Sequence, residues 1–178
     1  MARQIKYLFK KICSKFKKNP DEYMNKFFRK NDISIGEKCH IYLNIISSEP
    51  FLITIGNNVT ISSEVIFCTH DNSIIKVDGK MPNLFGKVTI GDNCFVGQRS
   101  MLMYGVTLAN NIIVAAGSVV TNSFDEEGII IGGVPARKIG TFQDFSKKSQ
   151  GKGLGRKNLK ETLLNHPELL VVRKSKRD

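Results

Sequence analysis

Branched aliphatic side chains return every six residues along much of this chain. Ile90, Val96, Leu102, Leu108, Val114 and Val120 follow one another at that spacing, and Ile55, Ile61 and Phe67, then Ile35 and Ile41, keep it upstream. Neither a helix, with its period of 3.6, nor a half-buried strand, with its period of 2, needs such a repeat. A coil built from three short flat faces does, because each face then brings one aliphatic to the same interior column. A second line supports the first. Four positions after each aliphatic stand Val59, Val65, Cys94, Ser100, Val106, Ile112 and Ser118, all small or branched and able to share an interior. Between the two lines fall Gly56-Asn57-Asn58, Gly91-Asp92-Asn93 and Ala109-Asn110-Asn111, whose Gly and Asn tolerate the positive φ of a sharp corner. Successive turns of such a coil stack about 4.8 Å apart, the ordinary strand spacing. A β-sandwich with chance spacing would not produce both lines together.

The fold class expected is all-β: a parallel β-helix over 33–140, preceded by a basic, amphipathic helical segment over 1–32 and followed by a basic, partly helical tail over 141–178. Residues 3–18 place Ile5, Leu8, Phe9, Ile12 and Phe16 on one helix face, with lysines largely opposite. Asn19-Pro20-Asp21-Glu22 supplies a cap, a proline and first-turn acids for a second helix ending near Arg29. The first helix suits either a cap over the open edge of the coil or contact with an acidic membrane surface. The register slips between Ile41 and Ile55, which predicts a distorted face over 47–53. Residues 71–87 hold no hexad and are expected as a loop thrown out of the coil, a length that usually marks function. Past Phe124 the acids Asp125, Glu126 and Glu127 would fall inside, so the regular coil is expected to stop there, leaving a last strand and turn over 129–140.

Charge is distributed unevenly. The net +11 divides into ten Lys/Arg against two acids over 1–30, twelve against four over 137–178, and five against ten between them. Basic ends fit anionic partners such as nucleic acid, acidic lipid or phosphorylated ligands. Nucleic acid is disfavoured because no aromatic platforms alternate with the basic residues. No apolar run approaches the ~20 residues of a membrane span, and Lys6, Lys10 and Lys11 interrupt any signal-peptide core. The cysteines Cys13, Cys39, Cys68 and Cys94 show no metal or CxxC spacing. A reduced, cytoplasmic setting is therefore expected, with contact at the inner membrane face as an option.

The hexads, the segment GDNCFVGQRSMLMYGVTLANNIIVAAGSVVT and the closing GGVPARKI resemble the hexapeptide-repeat acyltransferases, above all the sugar O-acetyltransferases, over roughly 33–140. The resemblance implies a left-handed coil, where the general preference for right-handed crossovers would suggest the opposite. It also implies a homotrimer with sites between adjacent coils, acetyl-CoA as donor, no metal, and a carbohydrate acceptor. His70, in Cys68-Thr69-His70-Asp71 before the loop, matches the catalytic histidine as general base. Asp71 either fixes the imidazole, with a place in the acceptor site, or merely begins the loop. On the donor side the match runs through Phe95, aromatic but smaller than the family's tryptophan, and Gln98 and Ala116 for the pantetheine arm. Thr121 matches a phosphate or adenine contact, Asn122 stands where lysine is common, and Arg137 and Lys138 match phosphate ligands. Gly140 replaces a common arginine, which Lys147 or Lys148 would offset. On the acceptor side Tyr42 stands where a sugar-binding asparagine is expected, with Asn44 two positions on, and Glu49 and Pro50 fall where carboxylates occur. His40, expected at a corner, and His166 are weaker candidates. Three histidines, one of them in the tail, make a zinc site of the related carbonic anhydrases improbable. The function expected is acetyl transfer to a hydroxyl of a sugar, polysaccharide or glycolipid precursor. Transfer to an antibiotic or a nucleotide-linked amino sugar is the enzymatic alternative, and nucleic-acid binding the distant non-enzymatic one.

Overall fold

The computed structural model describes residues 2–172, so Met1 and the end of the basic tail, 173–178, lie outside the described residues. The chain divides after Gly140 into two compact units.

The first unit is a three-faced coil. One ladder runs through Ser34–Ile35, Ile53–Ile55, Val88–Ile90 and Thr107–Leu108. A second runs through His40–Ile41, Thr60–Ile61, Phe95–Val96, Ile113–Val114, Ile129–Gly133 and Ala136–Thr141. The third holds Ile66–Phe67, Met101–Leu102 and Val119–Val120. Pairing between coils is parallel and keeps the hexad columns: Ile55 on Ile90 on Leu108, Ile61 on Val96 on Val114, Phe67 on Leu102 on Val120. These aliphatics are buried, and so is the second line, Val59, Val65, Cys94, Ser100, Val106, Ile112 and Ser118. Its polar members have partners. Ser100 and Ser118 donate to the Ala115 carbonyl, at 3.0 and 2.6 Å, and the Cys94 thiol to the Ala109 carbonyl at 3.2 Å.

The corners show two separate uses of small residues. Asn58, Asn93 and Asn111 take positive φ, at 52°, 55° and 57°. Their side chains stack into a ladder, Asn58 Nδ2 donating to Asn93 Oδ1 at 2.8 Å and Asn93 Nδ2 to Asn111 Oδ1 at 2.7 Å. The glycines beside them serve clearance instead. A Cβ on Gly91 would lie 2.7 Å from the Ala109 carbonyl carbon, and one on Gly56 would lie 2.8 Å from that of Gly91.

Two places break the period. Ile35 pairs with Ile55, twenty positions on, where Ile90 and Leu108 are eighteen apart. The extra length is taken up in a 3₁₀ turn, Pro50–Leu52, within the stretch expected to be distorted. The second break is the loop after the Ile66–Phe67 strand. Its stem is an antiparallel pair, His70–Asp71 with Leu84–Phe85, followed on the outgoing side by a 3₁₀ turn at Ser73–Lys76. The expectation that the coil stops at Phe124 is corrected. Phe124 bridges to Leu108, and Ile131 stacks on Val114. The three acids sit exposed on a corner rather than inside, and Glu127 accepts from Asn110 and Asn111 at 3.1 and 2.8 Å.

Of the two N-terminal helices, α1 (Ala2–Ser14) and α2 (Pro20–Arg29), it is α2 that covers the first coil. Asn19 caps it, accepting from the Glu22 N–H at 3.1 Å. Met24 and Phe28 are buried. Asn25 Nδ2 donates to the Cys39 carbonyl at 2.8 Å, and Arg29 donates to the carbonyls of Ile35 and Gly36 at 2.7 and 2.6 Å. Orphan backbone acceptors at the coil edge are thereby satisfied. The cap expected of α1 thus belongs to α2.

The second unit holds a helix over Phe142–Ser149, with Thr141 Oγ1 accepting from the Asp144 N–H at 3.1 Å, a helix over Leu159–Asn165 and a 3₁₀ turn over Pro167–Leu169. Among the described residues no helix is long and apolar enough to cross a membrane.

Because Leu102 is fully buried between Phe67 and Val120, Leu102→Ala leaves a cavity the stacked coils cannot close. It should lower unfolding free energy by about 2–5 kcal/mol in a denaturant titration.

Candidate active site

The two breaks in period meet at His70. The imidazole is 41% exposed, and its Nδ1 lies 2.9 Å from Glu49 Oε2, on a carboxylate that is only 16% exposed. The same oxygen accepts from Thr69 Oγ1 at 2.7 Å. Thr69 and Ser47 hydroxyls are 2.9 Å apart, and the Glu49 N–H donates to Ser47 Oγ at 3.1 Å. Proton counting fixes the directions. Thr69 spends its one proton on the carboxylate, so Ser47 donates to Thr69, and Ser47 in turn accepts from the Glu49 backbone. A closed circuit of Glu49, Ser47 and Thr69 therefore holds the carboxylate in place.

Glu49 is held below the usual carboxylate range, first by the Thr69 hydrogen bond and also by the hydrogen bond and charge of His70, with desolvation opposing. An ionised carboxylate only accepts. Nδ1 must then carry a hydrogen, so the nitrogen able to hold a free lone pair is Nε2. One face of the ring is bounded by Phe85, 6.0 Å between ring centroids at 48°. This arrangement can take a proton from a hydroxyl at Nε2, with the resulting cation stabilised by Glu49.

Asp71 is engaged elsewhere. Its carboxylate accepts from the Ser73 N–H at 2.8 Å and from the Tyr104 hydroxyl at 3.2 Å, and the Ser73 contacts lead the causes that lower its pKa. Glu49, not Asp71, orients the imidazole.

The other residues singled out from the sequence lie apart from this circuit. Tyr42 and Asn44 line an open groove of about 640 Å³ together with Tyr7, Ser63, Glu64 and Arg99. Asn44 Oδ1 is buried without a hydrogen-bond partner. Gln98 borders that groove through its 3.2 Å bond to Glu64 Oε1, and Glu64 pairs with Arg99 at 2.7 Å. Phe95 faces outward from the second ladder, 43% exposed. Ala116 is exposed at a corner and packs its backbone close to Gly97, where a Cβ would stand 2.5 Å from the Ala116 nitrogen. Thr121 and Asn122 are exposed and bonded to each other at 2.8 Å. Arg137 donates to the Ala136 carbonyl at 2.9 Å, and Lys138 pairs with Glu126 at 2.5 Å.

His40 stands on a strand rather than at a corner. It pairs with Asp21 at 2.7 Å and stacks on Tyr42. His166 pairs with Glu168 in the second unit. Among the described residues no three His, Cys, Asp or Glu side chains cluster as metal ligands. Ser47 and the orienting role of Glu49 escaped the sequence reading. The one signal was the slipped register around them.

A family model for the hexapeptide repeat of succinyl-transferase matches residues 87–122. Protein CapG of Staphylococcus aureus is 39% identical over 126 residues, 67% of this chain and 72% of that protein. The chain belongs to the hexapeptide-repeat acyltransferases. Membership brings an enzyme class, acetyl transfer from acetyl coenzyme A, and the left-handed hand of the coil. The galactoside O-acetyltransferase of Escherichia coli strain K12 is 28% identical over 120 residues, 66% of this chain and 58% of that enzyme. Among solved structures, a hexapeptide-repeat acetyltransferase of Vibrio cholerae O1 biovar eltor, complexed with acetyl coenzyme A, superposes with a TM-score of 0.55. It is 27% identical and covers 62% of this chain and 60% of that one.

In this hexapeptide-repeat protein Glu49→Gln replaces an acceptor with an amide that can donate to Nδ1. That would place the imidazole hydrogen on Nε2, so this nitrogen could no longer accept a proton. Turnover should fall by roughly 100-fold or more, with the KM for acetyl-CoA little changed, in a thiol-release assay.

Proposed function

We propose that this protein transfers an acetyl group from acetyl coenzyme A to a hydroxyl of a carbohydrate, either a sugar or a polysaccharide or glycolipid precursor, with His70 as general base. The observation that carries this is the Glu49–Ser47–Thr69 circuit, which holds His70 through Nδ1 and leaves Nε2 as the nitrogen that can act as a base beside an extruded loop.

The chemistry balances on these groups. The acceptor oxygen attacks the thioester carbonyl carbon while its proton passes to His70 Nε2. The C–S bond then breaks, and the imidazolium returns the proton to the departing thiolate, giving an acetyl ester and free coenzyme A. Glu49 stabilises the cation between the two transfers, and no covalent acyl-enzyme is required.

On the donor side Arg137 and Lys138 would hold phosphate, Gln98 and the Ala116 backbone the pantetheine arm, with Phe95, Thr121 and Asn122 along its course. The small exposed side chain at Ala116 fits a groove open to that arm. On the acceptor side Tyr42, Asn44 and Asp71 are the candidates. The carbohydrate reading also draws support from the relative that acts on galactosides.

A homotrimer with sites between adjacent coils completes the reading. Apolar side chains left open on the coil and its loop support it: Ile66, Phe85 and Phe95 are 49%, 58% and 43% exposed. A cytoplasmic setting suits acetyl coenzyme A as donor.

His70→Ala should abolish coenzyme A release against a panel of sugars and glycans while the thermal unfolding midpoint stays near that of the wild type. Near-normal turnover would remove His70 from the mechanism. Arg137→Ala should raise the KM for acetyl-CoA roughly 10-fold with a smaller effect on kcat, since charge-assisted contacts to phosphate act in ground and transition states alike.

A further inference from the structure

Helix α1 carries a surface that the coil leaves unused. One side of it rests on α2. The Tyr7 ring lies 6.3 and 6.2 Å from the rings of Phe27 and Phe28, Ser14 is buried, and Lys10 Nζ is 3.2 Å from the Tyr23 hydroxyl. At 3.6 residues per turn, Tyr7 and Ser14 share a side, and Ile5, Leu8, Phe9 and Ile12 form a stripe on the opposite one. Those four side chains are 61%, 60%, 63% and 59% exposed, and Phe16, in the turn that follows, is 85% exposed. Singly exposed apolar residues need no explanation, but a continuous stripe of five marks an interaction surface.

Its borders say what kind. Lys6, Lys11 and Lys15 flank the stripe, with Lys18 beyond it, while Lys10 and Lys17 lie over the Tyr23 ring of α2 at 5.3 and 5.4 Å from its centroid. No lysine between positions 6 and 18 joins an ion pair among the described residues. The two acids near them in sequence are committed elsewhere, Asp21 to His40 at 2.7 Å and Glu22 to Arg29 at 2.8 Å. A second copy of the chain is a poor occupant, because two such stripes laid together would bring like-charged lysine borders into contact.

We propose that α1 lies flat on a bilayer that contains anionic lipid, the stripe sunk to the boundary of headgroups and acyl chains and the lysines among the headgroups. The combination of an apolar face with lysine borders is what such a surface rewards. α2, fixed to the coil through Asn25 and Arg29, would then hold the coil against the membrane face. This surface stands independently of the acetyl-transfer reading.

The test is co-sedimentation of the full chain with vesicles of phosphatidylcholine alone, or of phosphatidylcholine and phosphatidylglycerol in equal parts, at low and raised salt. Thiol release toward a soluble acceptor and mass by light scattering are measured in parallel. Binding is expected to the mixed vesicles and not to the neutral ones, and to weaken with salt. Phe9→Asp, and Lys11→Glu with Lys15→Glu, should each lower the partition coefficient about 10-fold or more, leaving thiol release in solution and particle mass unchanged. Absence of binding at low salt, equal binding to neutral vesicles, or equal binding by the variants would overturn the proposal. A change of mass in Phe9→Asp would overturn it as well, assigning the stripe to contact between copies.

Discussion

Strands of two or three residues cannot stand alone, and nearly every strand of the coil is that short. What makes them a structure is that each coil's amides are answered by the next coil while one aliphatic per face drops into a shared column. Gly56 N donates to the Ile90 carbonyl at 2.8 Å and Gly91 N to the Leu108 carbonyl at 2.9 Å, so hydrogen bonding runs along the axis in register. Burial of the columns depends on the register, and the register on the columns. A one-residue slip would turn an entire face outward. Corners are therefore placed to within a residue, and anything attached to a corner inherits that placement.

The site arises where the constraint is relaxed twice in neighbouring stretches of chain. The two added residues between Ile35 and Ile55 let the 47–52 segment leave the strand path, and the loop after Phe67 leaves it again at His70. Thr69 ties these departures together, being buried at the coil edge and bonded to both Ser47 and Glu49. The catalytic candidate sits on the exposed side of that junction, with the orienting carboxylate on its more buried side. Regular coils supply rigidity, and the irregular residues use it, as a preorganised base requires.

How far this was legible follows from what periodicity can carry. The columns, the second interior line and the asparagine corners repeat, so the sequence displays them directly. Glu49 does not repeat. Its partnership with His70 spans twenty-one positions and depends on how a slipped segment folds back, which no local pattern encodes. Motif matching placed Glu49 on the acceptor side and left Asp71 as a rival for the imidazole, although Asp71 spends its carboxylate on Ser73 and Tyr104. The acids at 125–127 misled for a related reason. Strict hexad counting would put them inside, whereas the turn runs short there, Phe124 falling on Leu108 sixteen positions back, so the acids reach the corner before the second ladder resumes at Ile129. Likewise two adjacent amphipathic helices left open which one caps the coil. The positions of Met24, Asn25 and Arg29 against the first coil decide for α2.

Charge completes the picture of how a donor rich in phosphate could approach. The middle of the chain, 31–136, carries five basic residues against ten acidic ones, a field that repels polyanions. Arg137 and Lys138 follow immediately on that acidic body, and the coil's last strand keeps them exposed. The ion pair of Lys138 with Glu126 is on the surface, where such pairs contribute only about 0–1 kcal/mol and yield readily to a better anion. Arg137 has no carboxylate partner among the described residues, and its guanidinium keeps most of its donors for a phosphate. An acidic coil with basic residues at the end of its last turn would thus turn a phosphate-bearing donor away from most of its surface and receive it where the coil ends.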